Sequence, residues 1–454
     1  MNPGRLNDRC IRQAVAGLFL FLGCIQVRAE AIRSMELSPQ DRILVLSPHP
    51  DDDILDCAGV IQTAVRMKLP VRVVYLTNGD NYEWAFMLYE KRPVLRPAEM
   101  RAMGEIRRQE ATSAEALLGV RADQLTFLGY PDWGTEHIFM EHWGPHRPAF
   151  RSMLTQVTAV PYKEALSPGA PYKGESVLAD LERVLREFRP TKIFVSHPGD
   201  AHRDHRTFYL FAQVALWDLA DKRPPEVYPF LTHYPHWPLP RGYRPERVLQ
   251  PPVEFENLPW VEKTLAETQV ALKNQAIAQH RTQMGKDRAY LESFVATNEL
   301  FGNIPSIMPG SPEEPSVHPT SLEVSSGTMA ELSWRNLYLE RSDLVFRMEF
   351  STRSHFDHPV SAYVFGYRHD RPFAEMPKLR LSIRGHRLQV YDQGIPVKDS
   401  GITMDRDGRI LLLRFPLAAL GNPERLLGTA WSRSAEEPFD WRVWRAVDLK
   451  GQRT

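Results

Sequence analysis

Two short polar runs in this 454-residue chain bring imidazoles and carboxylates together at spacings that suit metal chemistry. The first is Pro48-His49-Pro50-Asp51-Asp52-Asp53, and the second is His197-Pro198-Gly199-Asp200-Ala201-His202-Arg203-Asp204-His205. A hydrolytic metal centre typically takes three nitrogen or oxygen ligands from the protein and keeps one position open for water. His49 and Asp52 can supply two ligands from the first run, and one histidine of the second run supplies the third. A bound divalent cation lowers the pKa of its water to about 7, and a neighbouring carboxylate takes the proton as that water attacks. Asp51, next to Asp52, has the place of that base. A second-run histidine left off the metal would, when protonated, stabilise the oxyanion of a tetrahedral intermediate. Asp204, between His202 and His205, would orient it. A His/Asp ligand set suits Zn2+ and also Fe2+.

The elements around these runs explain how they could be positioned. Residues 43–46 form a short apolar strand that ends in Ser47-Pro48-His49, and a helix is expected over 53–67 on Ile54, Val60, Ile61 and Val65. A strand at 71–76 stops at Thr77-Asn78-Gly79-Asp80, and a helix at 107–118 ends on Gly119, the residue type that best terminates helices. A strand at 125–128, a helix at 177–188 and a strand at 193–195 follow, the last running straight into the second polar run. A further helical block covers 259–284. Strands alternating with helices predict a Rossmann-like α/β fold, mostly parallel, with helices on both faces. Such sheets place their sites at the carboxyl ends of strands, where both polar runs fall. Residues 130–174, rich in Pro, His and aromatics, are too long for a plain connection, and a lid or substrate-facing insertion is expected there.

The flanks read differently. Arg5, Arg9 and Arg12 precede an apolar run at 14–27 that ends in Val27-Arg28-Ala29, the pattern of a secretory signal over 1–29. The expected product is exported, periplasmic or extracellular, without a membrane span, and lipid anchoring is the weaker option. Cys10 and Cys24 fall in that segment, which leaves Cys57 without a disulfide partner in the mature chain. The α/β domain is expected over 30–304 and a proline-rich linker over 305–319. From 320 to 454 the period changes to two, predicting an all-β sandwich. Its Tyr363, Tyr367, Tyr391, Trp431, Trp441 and Trp444 fit either a sugar-binding surface or core and interdomain packing. Lys+Arg and Asp+Glu are equal at 56 each, which excludes a protein built to coat nucleic acid. Three cysteines exclude a disulfide scaffold.

The two runs resemble the motifs of the PIG-L/LmbE family of zinc-dependent de-N-acetylases, His-Pro-Asp-Asp-Glu and an acid followed by His-x-Asp-His, across about residues 40–300. The resemblance implies His49, Asp52 and His205 as metal ligands, Asp51 as general base, and His202 as oxyanion stabiliser held by Asp204. Ile106-Arg107-Arg108-Gln109-Glu110 before Leu118-Gly119 is similar to a family helix, implying that Arg107 contacts the sugar. Gly129-Tyr130-Pro131-Asp132 implies that Asp132 binds sugar hydroxyls, and Lys273, Ala276, His280 and Gln283 resemble a late helix. Asp53 departs from the usual Glu, and its expected role is support rather than ligation. The activity implied is removal of acetyl from an N-acetylglucosamine-type sugar or glycoconjugate. Two other classes fit the scaffold, a non-catalytic glycan receptor and a phosphoesterase. The intact Asp51, Asp52, His202 and His205 count against the first, and the lack of a clear second ligand set counts against the other.

Overall fold

The computed structural model describes residues 32–81, 96–219, 223–310, 332–350, 359–408, 410–432 and 443–450. The expected signal segment lies outside these residues, and no described helix is long and apolar enough to cross a membrane.

Strand β1 (Ile43–Ser47) is buried at every position, as a strand covered on both faces must be. It pairs in parallel with β2 (Val71–Thr77), Val45 lying opposite Val73. Parallel pairing continues to β3 (Leu125–Tyr130) on that side, and on the other side to β4 (Lys192–Ser196) and β5 (Glu226–Phe230). Two antiparallel strands, β6 (Trp260–Thr264) and β7 (Asn298–Gly302), extend the sheet, giving the order β6-β7-β5-β4-β1-β2-β3. Helices cover both faces. Helix α1 (Asp52–Arg66) follows β1, α2 (Pro97–Leu118) precedes β3, and α3 (Thr135–Glu141) follows it. Next come α4 (Gly174–Phe188), α5 (Arg203–Leu219), α6 (Glu267–Ile277), α7 (Arg281–Met284) and α8 (Arg288–Leu291). Leu44, Leu46, Val74, Leu76 and Leu128 face the core under α4 and α5. Tyr75, on the opposite face of the sheet, reaches Asp53 of α1.

Two expectations need correction. Helix α2 begins at Pro97 rather than near Arg107, because proline at a first helical position starts a helix and Met100, Met103 and Gly104 extend its buried face. The 259–284 block is not one helix: Trp260–Thr264 is a strand drawn onto β7 by pairing that no local pattern reveals, and the helices follow it. Of the two forms expected for 130–174, the stretch is not a free lid, since Trp143, Val160, Tyr162 and Tyr172 are buried, while Asp132 and Trp133 at its start line a cavity. His137 stacks on Phe150 and His142 faces the Pro148 carbonyl at 2.7 Å, each away from the metal motifs.

The C-terminal region forms two antiparallel sheets. One has the order β14-β15-β9-β8, built from β8 (Leu332–Glu340), β9 (Asp343–Phe350), β14 (Thr403–Asp407) and β15 (Ile410–Pro416). The other has the order β13-β12-β11-β10-β16-β17, from β10 (Val360–Tyr367), β11 (Lys378–Arg384), β12 (Arg387–Asp392), β13 (Ile395–Pro396), β16 (Arg425–Ser432) and β17 (Arg445–Asp448). Leu344, Phe346, Leu411 and Leu413 of the first meet Val364, Leu379, Leu381 and Leu426 of the second in one core. Ile307 joins that core and bridges to Val447, whereas 311–319 of the expected linker lies outside the described residues.

The outer face of the six-stranded sheet is buried as well. Phe365 lies 5.7 Å from Phe139, and Tyr367 lies 4.9 Å from Trp217. Trp444 is 1% exposed, and its N–H donates to the Pro198 carbonyl of the second motif at 3.3 Å. Trp143 N–H donates to the Gln393 side chain at 2.9 Å. Tyr367 and Trp444 are thus committed to packing against the α/β domain. Tyr391 lies under the Arg380 guanidinium at 4.2 Å, and Trp441 and the Trp431 side chain fall outside the described residues.

Candidate active site

The carboxyl ends of β1 and β4 bring the two motifs together. His49 Nδ1 lies 3.2 Å from Asp52 Oδ2 and 3.1 Å from His205 Nε2, and His205 Nε2 lies 3.2 Å from the same Asp52 oxygen. Three donor atoms thus form a nearly equilateral triangle. Ligands held at roughly 2.0–2.2 Å in tetrahedral geometry about zinc sit roughly 3.3 Å apart, so the donor set fits a single divalent cation. The far side of each imidazole meets a carboxylate: His205 Nδ1 faces Asp200 Oδ2 at 3.2 Å, and His49 Nε2 faces Asp132 Oδ1 at 3.2 Å. Carboxylates placed so fix the ring and raise its basicity as a ligand. Asp200 is itself anchored by the N–H groups of His202, Thr232 and His233 at 2.8, 3.1 and 2.9 Å. His202 and His233 complete the cluster, and His233 stands with Asp52 and His205 closely enough to share an ion.

Asp51 occupies the N-cap position of α1, yet its side chain does not cap the helix. Instead its Oδ1 meets Arg107 Nη2 of α2 at 3.3 Å, and Arg107 Nη1 donates to the Gly79 carbonyl at 3.1 Å. Gly79 has φ +65°, and a Cβ there would lie 2.0 Å from the guanidinium, so this glycine makes the room that Arg107 fills. Burial pushes the Asp51 carboxyl up, Arg107 opposes, and the net shift is upward, which suits a base working near neutral pH. Burial would also raise Asp52, but His205 and His49 hold it well below the ordinary range, as a ligand requires. Burial would lower His205, and Asp52 with Asp200 overrides it to about 10. Burial pulls His202 down, and the neighbouring His49, His205 and His233 pull it further.

The structure departs from the sequence reading at Asp204, and at Asp132 it adds a partner. The Asp204 carboxylate does not hold the His202 ring. It accepts the N–H groups of Trp133 and Thr135 at 2.6 and 3.2 Å and the Thr135 hydroxyl, and it lies 3.5 Å from His49 Nε2. Only its backbone touches His202, donating N–H to Nδ1 at 3.2 Å. That bond leaves the ring hydrogen on Nε2, so His202 is a neutral donor rather than the expected imidazolium. Asp132 has one oxygen on His49 and the other accepting Asn81 N–H at 3.2 Å, so it braces His49, and it also lines the cavity where the expected sugar contact would be made. The cause at Asp204 is that neighbours in sequence along a helix point in different directions.

Asp53 is fully buried, accepts the Tyr75 hydroxyl at 2.7 Å, and has Glu115 of α2 behind it. Burial raises both carboxyls, and His280 is buried near Asp53. Lys273 pairs with Glu299 at 2.9 Å in the interior, whereas Gln283 reaches the cavity. That cavity, of about 700 Å³, is lined by Asp51, Asp52, Arg107, Asp132 and His202 together with Trp133 and Tyr290. The sequence reading did not assign Asp200, Trp133 or His233 to the site. His233 carried one signal, its place just past the carboxyl end of β5.

Residues 44–216 match the PIG-L family, described as GlcNAc-PI de-N-acetylase. Over 172 residues the chain is 31% identical to the 1D-myo-inositol 2-acetamido-2-deoxy-alpha-D-glucopyranoside deacetylase of Mycobacterium sp. (strain KMS), covering 37% of this chain and 47% of that one. The chain therefore spans about half the length of the known relatives it matches. Among solved structures, N,N'-diacetylchitobiose deacetylase from Pyrococcus horikoshii is similar at 18% identity and a TM-score of 0.32, covering 63% of this chain and 83% of its own. The 4-carboxy-2-hydroxymuconate hydratase GalB of Pseudomonas putida is similar at 16% identity and a TM-score of 0.35, covering 60% and 99%.

Proposed function

We propose that this chain, a member of the PIG-L family by its residues 44–216, is an exported, zinc-dependent hydrolase that removes acetyl from an N-acetylglucosamine-type sugar or glycoconjugate. The observation that supports it most is the triangle of His49 Nδ1, Asp52 Oδ2 and His205 Nε2, of which His49 and Asp52 line the cavity together with Asp51. A cation held there supplies Lewis-acid polarisation of the amide carbonyl and a water of lowered pKa. Fe2+ is the alternative metal for the same donors.

The chain's own groups do the rest. Asp51 takes a proton as the water oxygen bonds to the amide carbon, with Arg107 holding the carboxylate in place. His202 donates its Nε2 hydrogen to the oxygen that gains charge, a role for which a neutral ring suffices. Asp51 then returns the proton to the sugar nitrogen as the C–N bond breaks, leaving acetate and a free amine. Asp132 and Asp200 keep the two histidines oriented throughout.

The test is acetate release from a panel of N-acetylated sugars by the metal-loaded protein, with a chelator control. Release that the chelator abolishes and Asp51→Asn lowers by about 10³-fold or more supports the reading. No release from any of them by protein carrying stoichiometric zinc overturns it. Full turnover in Asp51→Asn overturns the assignment of the base. Export is read separately, by whether the mature protein isolated from its own cells begins near Ala29 or Ala31.

A further inference from the structure

The turn between β3 and α3 holds a strained residue beside the ligands. Gly134 N–H donates to the Pro131 carbonyl at 3.0 Å, closing a four-residue turn whose third position is Trp133 at φ +59°. Glycine or asparagine normally takes that position, because a Cβ crowds the backbone there. A bulky residue stays in such a conformation only where its surroundings enforce it, and sites of function are where this occurs. Asp204 supplies the enforcement through its bonds to Trp133 N–H and to both donors of Thr135. Asp132, the adjacent residue in the same turn, is tied to His49, so the indole is fixed in height relative to the metal ligands.

The ring held this way meets His202 and leaves much of its surface open. Trp133 is 46% exposed and lines the cavity, with its centroid 4.4 Å from that of His202 at an interplanar angle of 62°. The cavity lining mixes carboxylates, imidazoles and a guanidinium with Leu55, Tyr234, Pro235, Tyr290 and Leu291, and Trp133 is the indole set directly against His202. A pyranose has the complementary make-up, with hydroxyls around its rim and C–H groups on its faces. The electron-rich face of an indole attracts those polarised hydrogens and shields them from water.

We propose that Trp133 is the sugar platform of the site and sets its specificity. It stacks on the C–H face of the pyranose whose acetamido group reaches Asp51 and His202, and so favours N-acetylated pyranosides over acyclic acetamides. Asp204 is then a positioning residue that acts through the Trp133 turn. This inference rests on the deacetylase reading above, and its test separates the two.

Trp133→Gly suits the left-handed backbone and deletes the ring, while Trp133→Phe keeps a smaller one. Zinc-loaded wild type and both variants are compared on N,N'-diacetylchitobiose and on N-acetylethanolamine, and sugar binding is measured by calorimetry in the Asp51→Asn background. The expected result is a fall of about tenfold in the sugar-to-acyclic ratio of kcat/KM for Trp133→Gly. A similar rise in Kd for the sugar accompanies it, and Trp133→Phe recovers part of both. Equal losses on the two substrates, or an unchanged Kd, overturn the platform. If wild type hydrolyses neither compound, the best substrate of the panel replaces chitobiose, and if it hydrolyses none the deacetylase reading fails. The platform then stands on calorimetry alone, where a Kd that depends on the indole supports it and absent or indole-independent binding overturns it.

Discussion

His49 and Asp52 were legible in the sequence because local spacing already brings them near a strand end. The second run offered a histidine without saying which, and His205 came from the family resemblance, while the sheet places the two strand ends side by side. What each carboxylate faces was not legible. Asp200 and Asp204 are both in the second run, but the first braces His205 and the second holds the Trp133 turn. Asp200→Ala is therefore expected to weaken zinc affinity by about 10–100-fold, measured by chelator competition, even though Asp200 is not a ligand. A wild-type affinity in that variant would sink the assignment. Gly79→Ala tests the packing on Arg107: with φ +65° and a Cβ 2.0 Å from the guanidinium, it should displace Arg107 from Asp51. Stability should fall by about 1–3 kcal/mol in urea denaturation and kcat should fall with it. A variant of unchanged stability and kcat would show that the contact is dispensable.

At the scale of elements, the alternation of strand and helix through β4 was readable because those strands are mainly apolar and their helices carry one buried face, whereas α5 and β5 were not assigned. Trp260–Thr264 was not, since its strand character comes from pairing with β7 more than thirty residues on. The join between α1 and α6 rests on a buried pair equally invisible in the sequence. Lys273 Nζ meets Glu299 Oε1 at 2.9 Å, and Glu299 also accepts the N–H groups of Gly59 and Val60 of α1 at 2.7 and 3.2 Å. Breaking such a pair leaves an uncompensated charge in the interior. Glu299→Ala should therefore cost about 3–5 kcal/mol in chemical denaturation, because it strands both the ammonium and the helix donors. A loss below about 1 kcal/mol would refute that account.

Across the whole molecule, the change of hydrophobic period predicted the sandwich, but the face it turns to the α/β domain depended on tertiary packing. Lys378 stands at that junction, 1% exposed, donating to the carbonyls of Phe373 and Met376 and lying 4.8 Å from the centre of the Trp143 ring. Burial, opposed by Asp392 and Glu175, lowers its pKa to about 7. Below pH 7 the folded and unfolded chains both carry the proton, so the cost of burying the charge is constant and complete. From about 7 up to the ordinary 10.5 the unfolded chain holds more protons, so stability rises with pH through this group. The unfolding free energy of wild type relative to Lys378→Met should thus climb between pH 7 and 9, by at most about 1.4 kcal/mol per unit. A flat difference would remove Lys378 from the pH response.

The bond from Trp444 N–H to the Pro198 carbonyl, together with the aromatic seam around it, bears on how the chain could be divided. A protein trimmed to its first 304 residues would turn Phe139, Trp143, Phe211 and Trp217 out to water as a contiguous greasy patch. It would also leave the loop of His197 to His205 without its outer support. Such a fragment should precipitate or self-associate rather than behave as a smaller folded protein, so shuffling or grafting the α/β unit requires the sandwich to travel with it.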